Sequence, residues 1–114
     1  MNAINETPVF QKTYDLYKAL HELVKKYPKG DRYSLGEKTQ QKILDLLEAI
    51  TKAGHAKKEW KVAILDQAIA ASDLVKVCIR LGYDTRCLNE KQYIALQERV
   101  QEIGRMLGGW KRSV

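Results

Sequence analysis

The stretch of sequence that decides the fold is residues 57–82, KKEWKVAILDQAIAASDLVKVCIRLG. Its apolar residues recur every three or four positions, which is typical of an α-helix with a buried face. The spacing predicts a helix from about Lys57 to Leu81, and Gly82 is its predicted stop. The residues predicted to face the core of the protein are Trp60, Ala63, Ile64, Ala68, Ala71, Val75 and Cys78.

A second set of apolar residues lies on the other side of this predicted helix. With a rotation of about 100° per residue, Val62, Leu65 and Ile69 fall roughly opposite the core stripe. In a small bundle, no other part of the chain is left to cover a second apolar face. We therefore expect self-association, with Val62, Leu65 and Ile69 at the oligomer interface. A wide, loosely packed core is the alternative.

Three further segments have helical spacing and are separated by Gly and Pro. Helix one is predicted to begin with Thr7 as N-cap and to end at Pro28. Helix two is predicted to begin at a capping box over residues 34–37, SLGE, and to close with Gly54 in the left-handed conformation. Helix four is predicted to begin with Asn89 as N-cap and to stop at Gly108-Gly109. The residues predicted to form the apolar stripe of helix one are Phe10, Tyr14, Tyr17, Leu20, Val24 and Tyr27.

The whole chain is therefore predicted to be all-α, because no stretch has the alternation of a β-strand. Its 114 residues fit one domain. Short links favour antiparallel neighbours, which gives an up-down-up-down antiparallel four-helix bundle. The predicted domain limits are an N-terminal arm at residues 1–7, the bundle at 8–109 and a short basic tail at 110–114.

The charge of the chain favours partners that carry negative charge. Lys and Arg number 20 against 14 Asp and Glu, so the net charge is +6, and nucleic acid is the first such partner to consider. Lys and Arg at helix C-termini also stabilise the helix dipole, which is an alternative reason for part of the excess. An antiparallel bundle gathers the basic residues at both ends. One end holds the first turn, which is the link between helix one and helix two at residues 28–33. The opposite end collects Lys52, Lys57, Lys58, Lys61, Arg105, Lys111 and Arg112.

Residues that could carry catalysis or bind a metal are sparse. His21 and His55 stand in no catalytic motif, and Cys78 and Cys87 lack the ligand spacing of a zinc site. We expect no metal, no cofactor and no enzyme activity; a small bundle enzyme would need a pocket with perturbed titratable groups. Two cysteines, no signal peptide and no long apolar run predict a cytoplasmic protein with reduced thiols and no membrane partner.

Four stretches of the sequence resemble the accessory variability determinant (Avd) proteins of diversity-generating retroelements, and the resemblance spans nearly the whole chain. Four-helix-bundle proteins encoded in ribosomal RNA intervening sequences are similar in size and in the Tyr-x-Leu-Gly turn, and they are the nearest alternative. The stretches are Leu16-Tyr17-Lys18, Lys26-Tyr27-Pro28-Lys29, Arg32-Tyr33-Ser34-Leu35-Gly36 and residues 103–111, IGRMLGGWK.

The resemblance to Avd proteins implies a homopentameric barrel of four-helix bundles. It implies binding to the reverse transcriptase of the element and to RNA or DNA, in support of mutagenic cDNA synthesis and retrohoming. The reverse transcriptase would perform the chemistry. A protein-only assembly scaffold is a further alternative. The residues expected to contact phosphates or an acidic protein surface are Lys26, Lys29, Arg32, Lys76, Arg80 and Arg86.

Overall fold

The computed structural model describes residues 7–114, so the predicted N-terminal arm lies outside the described residues except for Thr7. This part of the chain contains four helices and no strand, which confirms the all-α four-helix bundle. The second helix, α2, has three consecutive segments: an α-helical turn, a π-helical turn and a long α-helix. The helices are α1 (Pro8–Val24), α2 (Lys29–Asp31, Arg32–Gly36 and Glu37–His55), α3 (Lys58–Asp84) and α4 (Glu90–Ser113).

The four helices form one elongated bundle of 44 × 20 × 19 Å. Contacts join α1 to α2, α2 to α3, α3 to α4 and α4 back to α1, which closes the bundle around a single core. Three buried hydroxyls, on Thr13, Thr39 and Ser72, each donate to a backbone carbonyl three or four residues earlier, so that they are satisfied within their own helix. The largest fully buried side chains are Tyr27, Leu16, Leu20, Ile43, Leu46, Ile50, Leu65, Ile79, Ile103, Leu107, Val75 and Val100.

The beginning of α1 confirms the predicted cap, because the Thr7 hydroxyl accepts from the backbone N–H of Phe10 and Pro8 opens the helix. Its end and its buried face differ from the prediction. The helix ends at Val24, and Tyr14 is 48% exposed. Tyr14 stacks on Phe10 with ring centroids 6.2 Å apart, so these rings cover the edge of the bundle rather than its centre. The residues that α1 buries are Val9, Thr13, Leu16, Leu20 and Val24.

The predicted capping box at residues 34–37 is wrong, because helix α2 already begins at Lys29. The Ser34 hydroxyl donates to the Gly30 carbonyl, 2.8 Å away, and is used inside the helix instead of at its start. Residues Arg32–Gly36 form a π-helical turn, a form that accommodates one extra residue per turn. Gly36 is buried there against α1: a Cβ at this position would lie 2.6 Å from Val24 Cγ1.

The other end of α2 also differs from the prediction. Gly54 lies within the helix, which ends at His55, and no glycine in residues 7–114 has a positive φ. A side chain of the next helix takes over the capping role, because Lys61 Nζ donates to the Ala53 carbonyl at 2.7 Å. The predicted left-handed glycine cap is therefore wrong, since a tertiary contact satisfies the end of the helix.

Helix α3 is rotated relative to the prediction. Leu65 is fully buried, so its assignment to an outward-facing second apolar face is wrong, whereas Trp60, predicted for the core, is 62% exposed. The helix packs against both α2 and α4, and it is apolar over so much of its circumference that sequence spacing alone leaves the buried direction ambiguous. Val62 is exposed and Ile69 is half-buried. The buried residues of α3 are Leu65, Ala68, Ser72, Val75, Cys78, Ile79 and Gly82.

The outward face of α3 carries its own row of apolar residues, which we call the outer stripe. It consists of Trp60, Ala63, Ala70, Leu74 and Leu81, all exposed. Their spacing keeps them on one side of the helix over about 31 Å. This row differs from the predicted second apolar face, because it includes Trp60 and Ala63, which were predicted for the core.

Gly82 does not stop α3. It lies inside the helix, which continues to Asp84, and it is buried against Tyr27 and Leu88. A Cβ at Gly82 would lie 3.0 Å from both Tyr27 Oη and Leu88 Cδ1. The glycine therefore serves close packing at this end of the bundle.

Helix α4 begins as predicted and ends later. The Asn89 side chain accepts from the Gln92 N–H at 2.8 Å, and the Gln92 side chain accepts from the Asn89 N–H at 2.9 Å, which confirms the cap. The helix passes through Gly108-Gly109 and continues to Ser113, so the predicted stop is wrong. The last turn is held to α3 by an ion pair of 2.7 Å between Lys111 and Asp66. Most of residues 110–114 thus belongs to the helix instead of forming a separate tail.

Candidate nucleic-acid and partner interface

One end of the bundle is built around the buried ring of Tyr27, and we call this end the Tyr27 pole. Tyr27 is 1% exposed and lies in the turn between α1 and α2, where it contacts Gly36 and the Gly82 region of α3. Its hydroxyl has no hydrogen-bond partner among the described residues. Burial, followed by the nearby charges of Cys87, Cys78 and Asp31, raises the pKa of Tyr27 to about 12. The ring therefore acts as a neutral anchor that brings the first turn and the end of α3 together.

Lys26 and Lys29 are exposed at the Tyr27 pole, as the sequence predicted. Within residues 7–114, no carboxylate lies within 4.0 Å of either ammonium. Lys29 is the first residue of α2, where a positive charge is unfavourable to the helix dipole. Helix stability therefore does not explain Lys29, and both charges are available to an external anion.

Arg32 has a structural task at the same pole. It is half-buried, and its Nη2 donates to the Tyr27 carbonyl at 3.4 Å. Its guanidinium carbon lies 6.0 Å from the centre of the Tyr33 ring, and its Nε is buried with no partner in the described part of the chain. The side chain thus spans the first turn and offers only part of its guanidinium to the surface.

Arg86 stands at the Tyr27 pole in a left-handed backbone conformation, with φ 67°. It follows the end of α3, where the N–H groups of Cys87 and Leu88 both donate to the Gly82 carbonyl at 2.8 and 3.0 Å. This position after a helix usually holds glycine, because a Cβ is strained there. Arg86 is exposed and adopts this conformation at an energetic cost, which favours a functional role for its charge.

Replacing Arg86 by glycine is expected to raise the free energy of unfolding by about 1 kcal/mol, because the backbone strain is removed. Urea denaturation of the purified variant measures the change. Arg86→Ala is the matched control, since it removes the charge but keeps the Cβ, and we expect no gain. An equal gain in both variants would mean that the charge, not the backbone, is the source of the cost.

Lys76 and Arg80 line a groove between α3 and α4 instead of the turn that holds Tyr27. Lys76 is eight residues before the end of α3, or about 12 Å along the helix, and it pairs with Asp73 at 3.7 Å. Arg80 pairs with Asp84 at 3.7 Å. The six predicted contacts are therefore divided: four surround the Tyr27 pole, and two line a groove between α3 and α4.

The groove between α3 and α4, which we call the α3/α4 groove, consists of two adjoining depressions that share Lys76 and Gln101. The choice of contact residues from the sequence missed Arg105 and Arg112, which also line it. The signal for them was their spacing of seven residues, which places both on one side of α4. The residues that define the groove here are the basic Lys76, Arg80, Arg105 and Arg112 and the small or apolar Ile69, Val77, Ile94, Gly104 and Gly108.

The pKa values of Glu22 and Cys87 depart from their ordinary ranges. The pKa of exposed Glu22 is lowered by its hydrogen bond and ion pair with Lys25. Burial raises the pKa of the Cys87 thiol, and a raised thiol pKa opposes formation of the reactive thiolate. Across residues 7–114, no three His, Cys, Asp or Glu side chains are grouped to hold a metal ion. No helix in this range is long and apolar enough to cross a bilayer.

Comparison with known proteins gives one family. The model of a family described as bAvd-like matches residues 9–114, which is almost the entire chain and includes both the Tyr27 pole and the α3/α4 groove. No curated protein matches the chain.

Proposed function

The chain belongs to the bAvd-like family, and from this premise we propose that it is a non-enzymatic accessory protein of a diversity-generating retroelement. In this role it binds the reverse transcriptase of the element and nucleic acid, and it supports mutagenic cDNA synthesis and retrohoming. The reverse transcriptase performs the chemistry. The accessory protein supplies a basic surface on which enzyme and nucleic acid are held together.

The observation that carries the nucleic-acid part of this proposal is the unpaired charge at the Tyr27 pole. Lys26, Lys29 and Arg86 are exposed without a carboxylate within ion-pair distance in the described part of the chain. Lys29 is unfavourable for its own helix, and Arg86 holds a strained backbone. Basic residues that lower the stability of the folded protein in these ways are explained if they bind a partner. Clustered lysines and arginines attract the phosphate backbone of nucleic acid.

The assembly that we propose is the homopentamer implied by the resemblance to Avd proteins. The outer stripe on α3 supports self-association, because an exposed apolar row of this length is unusual on a monomer. In a ring of five chains, a net charge of +6 each sums to about +30. The ring would repeat the Tyr27 pole five times, which turns a modest patch into a strong field for nucleic acid.

The protein is expected to bind single-stranded RNA or DNA of about 20 nucleotides with an affinity that depends on salt. The logarithm of the affinity is expected to fall linearly with the logarithm of the salt concentration, because binding releases counterions from the nucleic acid. The double variant Lys26→Glu, Lys29→Glu is expected to lower the affinity by about tenfold or more and to reduce the salt slope by about two. Fluorescence anisotropy over a salt series measures both quantities.

A variant with the same change in net charge provides the control. Lys18→Glu, Lys52→Glu alters two exposed lysines away from the Tyr27 pole, and we expect a smaller loss of affinity. Equal losses in the two double variants would mean that net charge, not the pole, drives binding. If wild-type protein binds neither RNA nor DNA at low salt, the nucleic-acid part of the proposal is wrong and a protein-only scaffold is left.

A further inference from the structure

The α3/α4 groove holds two mid-helix glycines that the packing of the chain does not require. A Cβ at Gly104 would meet nothing within 4 Å, and a Cβ at Gly108 would meet only the flexible end of Arg112 at 3.4 Å. Gly36 and Gly82 are different, since a Cβ there would press on neighbouring side chains. Glycine inside a helix is unfavourable relative to alanine. Gly104 and Gly108 therefore leave space on the floor of the groove for a binding partner.

The floor of the groove is apolar beside these glycines. Val77 and Ile94 are 53% and 47% exposed, and the half-buried Ile69 lies farther along. Among the described residues that line the groove, Tyr93 carries the only aromatic ring, and it stacks on Tyr83 with centroids 4.5 Å apart, so one of its faces is already covered. Single-stranded nucleic acid is typically held by exposed aromatic faces, whereas an aliphatic floor between two helices fits the apolar side of a third helix.

The edges of the groove are positively charged. Four basic residues stand against Asp73 and Glu98, and within residues 7–114 no carboxylate lies within 4.0 Å of Arg105 or Arg112. Arginine prefers carboxylates because its planar guanidinium can bind both oxygens. From Tyr93 to Arg112 the groove follows α4 for about 28 Å, which is about five helical turns.

We propose that the α3/α4 groove is the docking site for an acidic amphipathic helix of a protein partner. The apolar side of that helix covers Ile69, Val77 and Ile94, its backbone comes close at Gly104, and its carboxylates pair with Arg105 and Arg112. This inference deepens the proposed binding of the reverse transcriptase and rests on it, since it states what kind of element the enzyme presents to this protein.

The test uses a fluorescein-labelled helical peptide of about five turns, with leucines at helical spacing on one side and glutamates beside them. The reference peptide has lysine in place of each glutamate. We expect the acidic peptide to bind the wild-type protein about tenfold more tightly than the basic one. The variant Gly104→Leu fills the groove, and the double variant Arg105→Glu, Arg112→Glu reverses its edge. Each variant is expected to lower the affinity for the acidic peptide by about tenfold or more.

Each variant has a matched control on the same protein. Gly30→Leu introduces the same side chain at another glycine whose Cβ would meet nothing within 4 Å, and the double variant Lys18→Glu, Arg99→Glu reverses two exposed charges away from the groove. Both controls are expected to bind the peptide as the wild type does. Gly104→Leu is expected to fold, because the space at Gly104 is open and leucine favours a helix. Circular dichroism and the thermal midpoint of the variant test this expectation.

Four outcomes would overturn the inference. Absence of acidic-peptide binding, or binding that Gly104→Leu leaves unchanged, would remove the groove as a helix site. If RNA competes with the peptide, and Gly104→Leu weakens the binding of RNA and of peptide equally, the groove binds nucleic acid instead of a helix. A lower native mass of Gly104→Leu would mean that a second copy of the chain occupies the groove.

The results also separate this inference from the proposed function. A wild-type protein that binds RNA at the Tyr27 pole but does not bind the acidic peptide would refute the groove site alone. Peptide binding in a protein that binds no nucleic acid would leave the groove site intact and refute the nucleic-acid part of the proposed function.

Discussion

Replacing Leu74 by glutamate is expected to reduce the native mass from about 65 kDa, five times 13.1 kDa, to that of a single chain. Leu74 lies in the middle of the outer stripe and is 48% exposed. A ring of five chains would bury five copies of the new carboxylate against apolar surface, which costs far more than the same charge on a monomer. Light scattering coupled to size exclusion measures the mass.

The wild-type mass is expected to persist at high salt, because salt screens charged contacts but not apolar ones. Ala95→Glu is the control, since it adds one exposed glutamate to α4, and we expect it to leave the mass unchanged. A wild-type protein that is monomeric at all concentrations would refute the pentamer. The outer stripe would then belong to contacts with another protein.

Replacing Gly36 by leucine is expected to lower the free energy of unfolding by about 3 kcal/mol or more, which is a large share of the stability of a small domain. The first added carbon would already lie 2.6 Å from Val24 Cγ1 and 3.3 Å from the Asp31 carbonyl oxygen. The backbone oxygen cannot move without distorting the π-helical turn at Arg32–Gly36. Urea denaturation followed by circular dichroism measures the loss.

A double-mutant cycle identifies the cause of this loss. Val24→Ala removes the atom nearest to the new side chain, so we expect it to cost less in a Gly36→Ala background than in the wild type. Gly30→Leu lies in the same helix with open space around it and is expected to cause no comparable loss. Additive losses in the cycle would mean that contact with Val24 is not the source of the strain.

Local sequence signals identified the helices and two of their beginnings. The caps at Thr7 and Asn89 were predictable because each is a hydrogen bond between residues three positions apart. The predictions at Ser34, Gly54 and Gly108 failed for a shared reason: tertiary contacts decide whether a helix continues there. These contacts are the packing of buried Gly36, the hydrogen bond from Lys61 to the Ala53 carbonyl, and the ion pair between Lys111 and Asp66, and neighbouring residues do not reveal them.

The buried direction of α3 could not be predicted from spacing, because its apolar residues occupy several faces. Leu65 and Trp60 exchanged roles for that reason. At the candidate site, the exposure of Lys26, Lys29 and Arg86 agrees with the sequence-based expectation, although their contacts with a partner stay a prediction. The α3/α4 groove was not predictable as a unit, since it depends on how residues of two helices align across the surface.

The ring of Tyr27 has a consequence for how the bundle opens. It belongs to the turn that joins α1 to α2, and it also contacts the end of α3, close to Leu88 in the link to α4. Local unfolding of either chain reversal exposes the same ring to water, so the two reversals share one energetic cost. We therefore expect their backbone amides to exchange with solvent deuterium as a single cooperative unit, although they are distant in sequence.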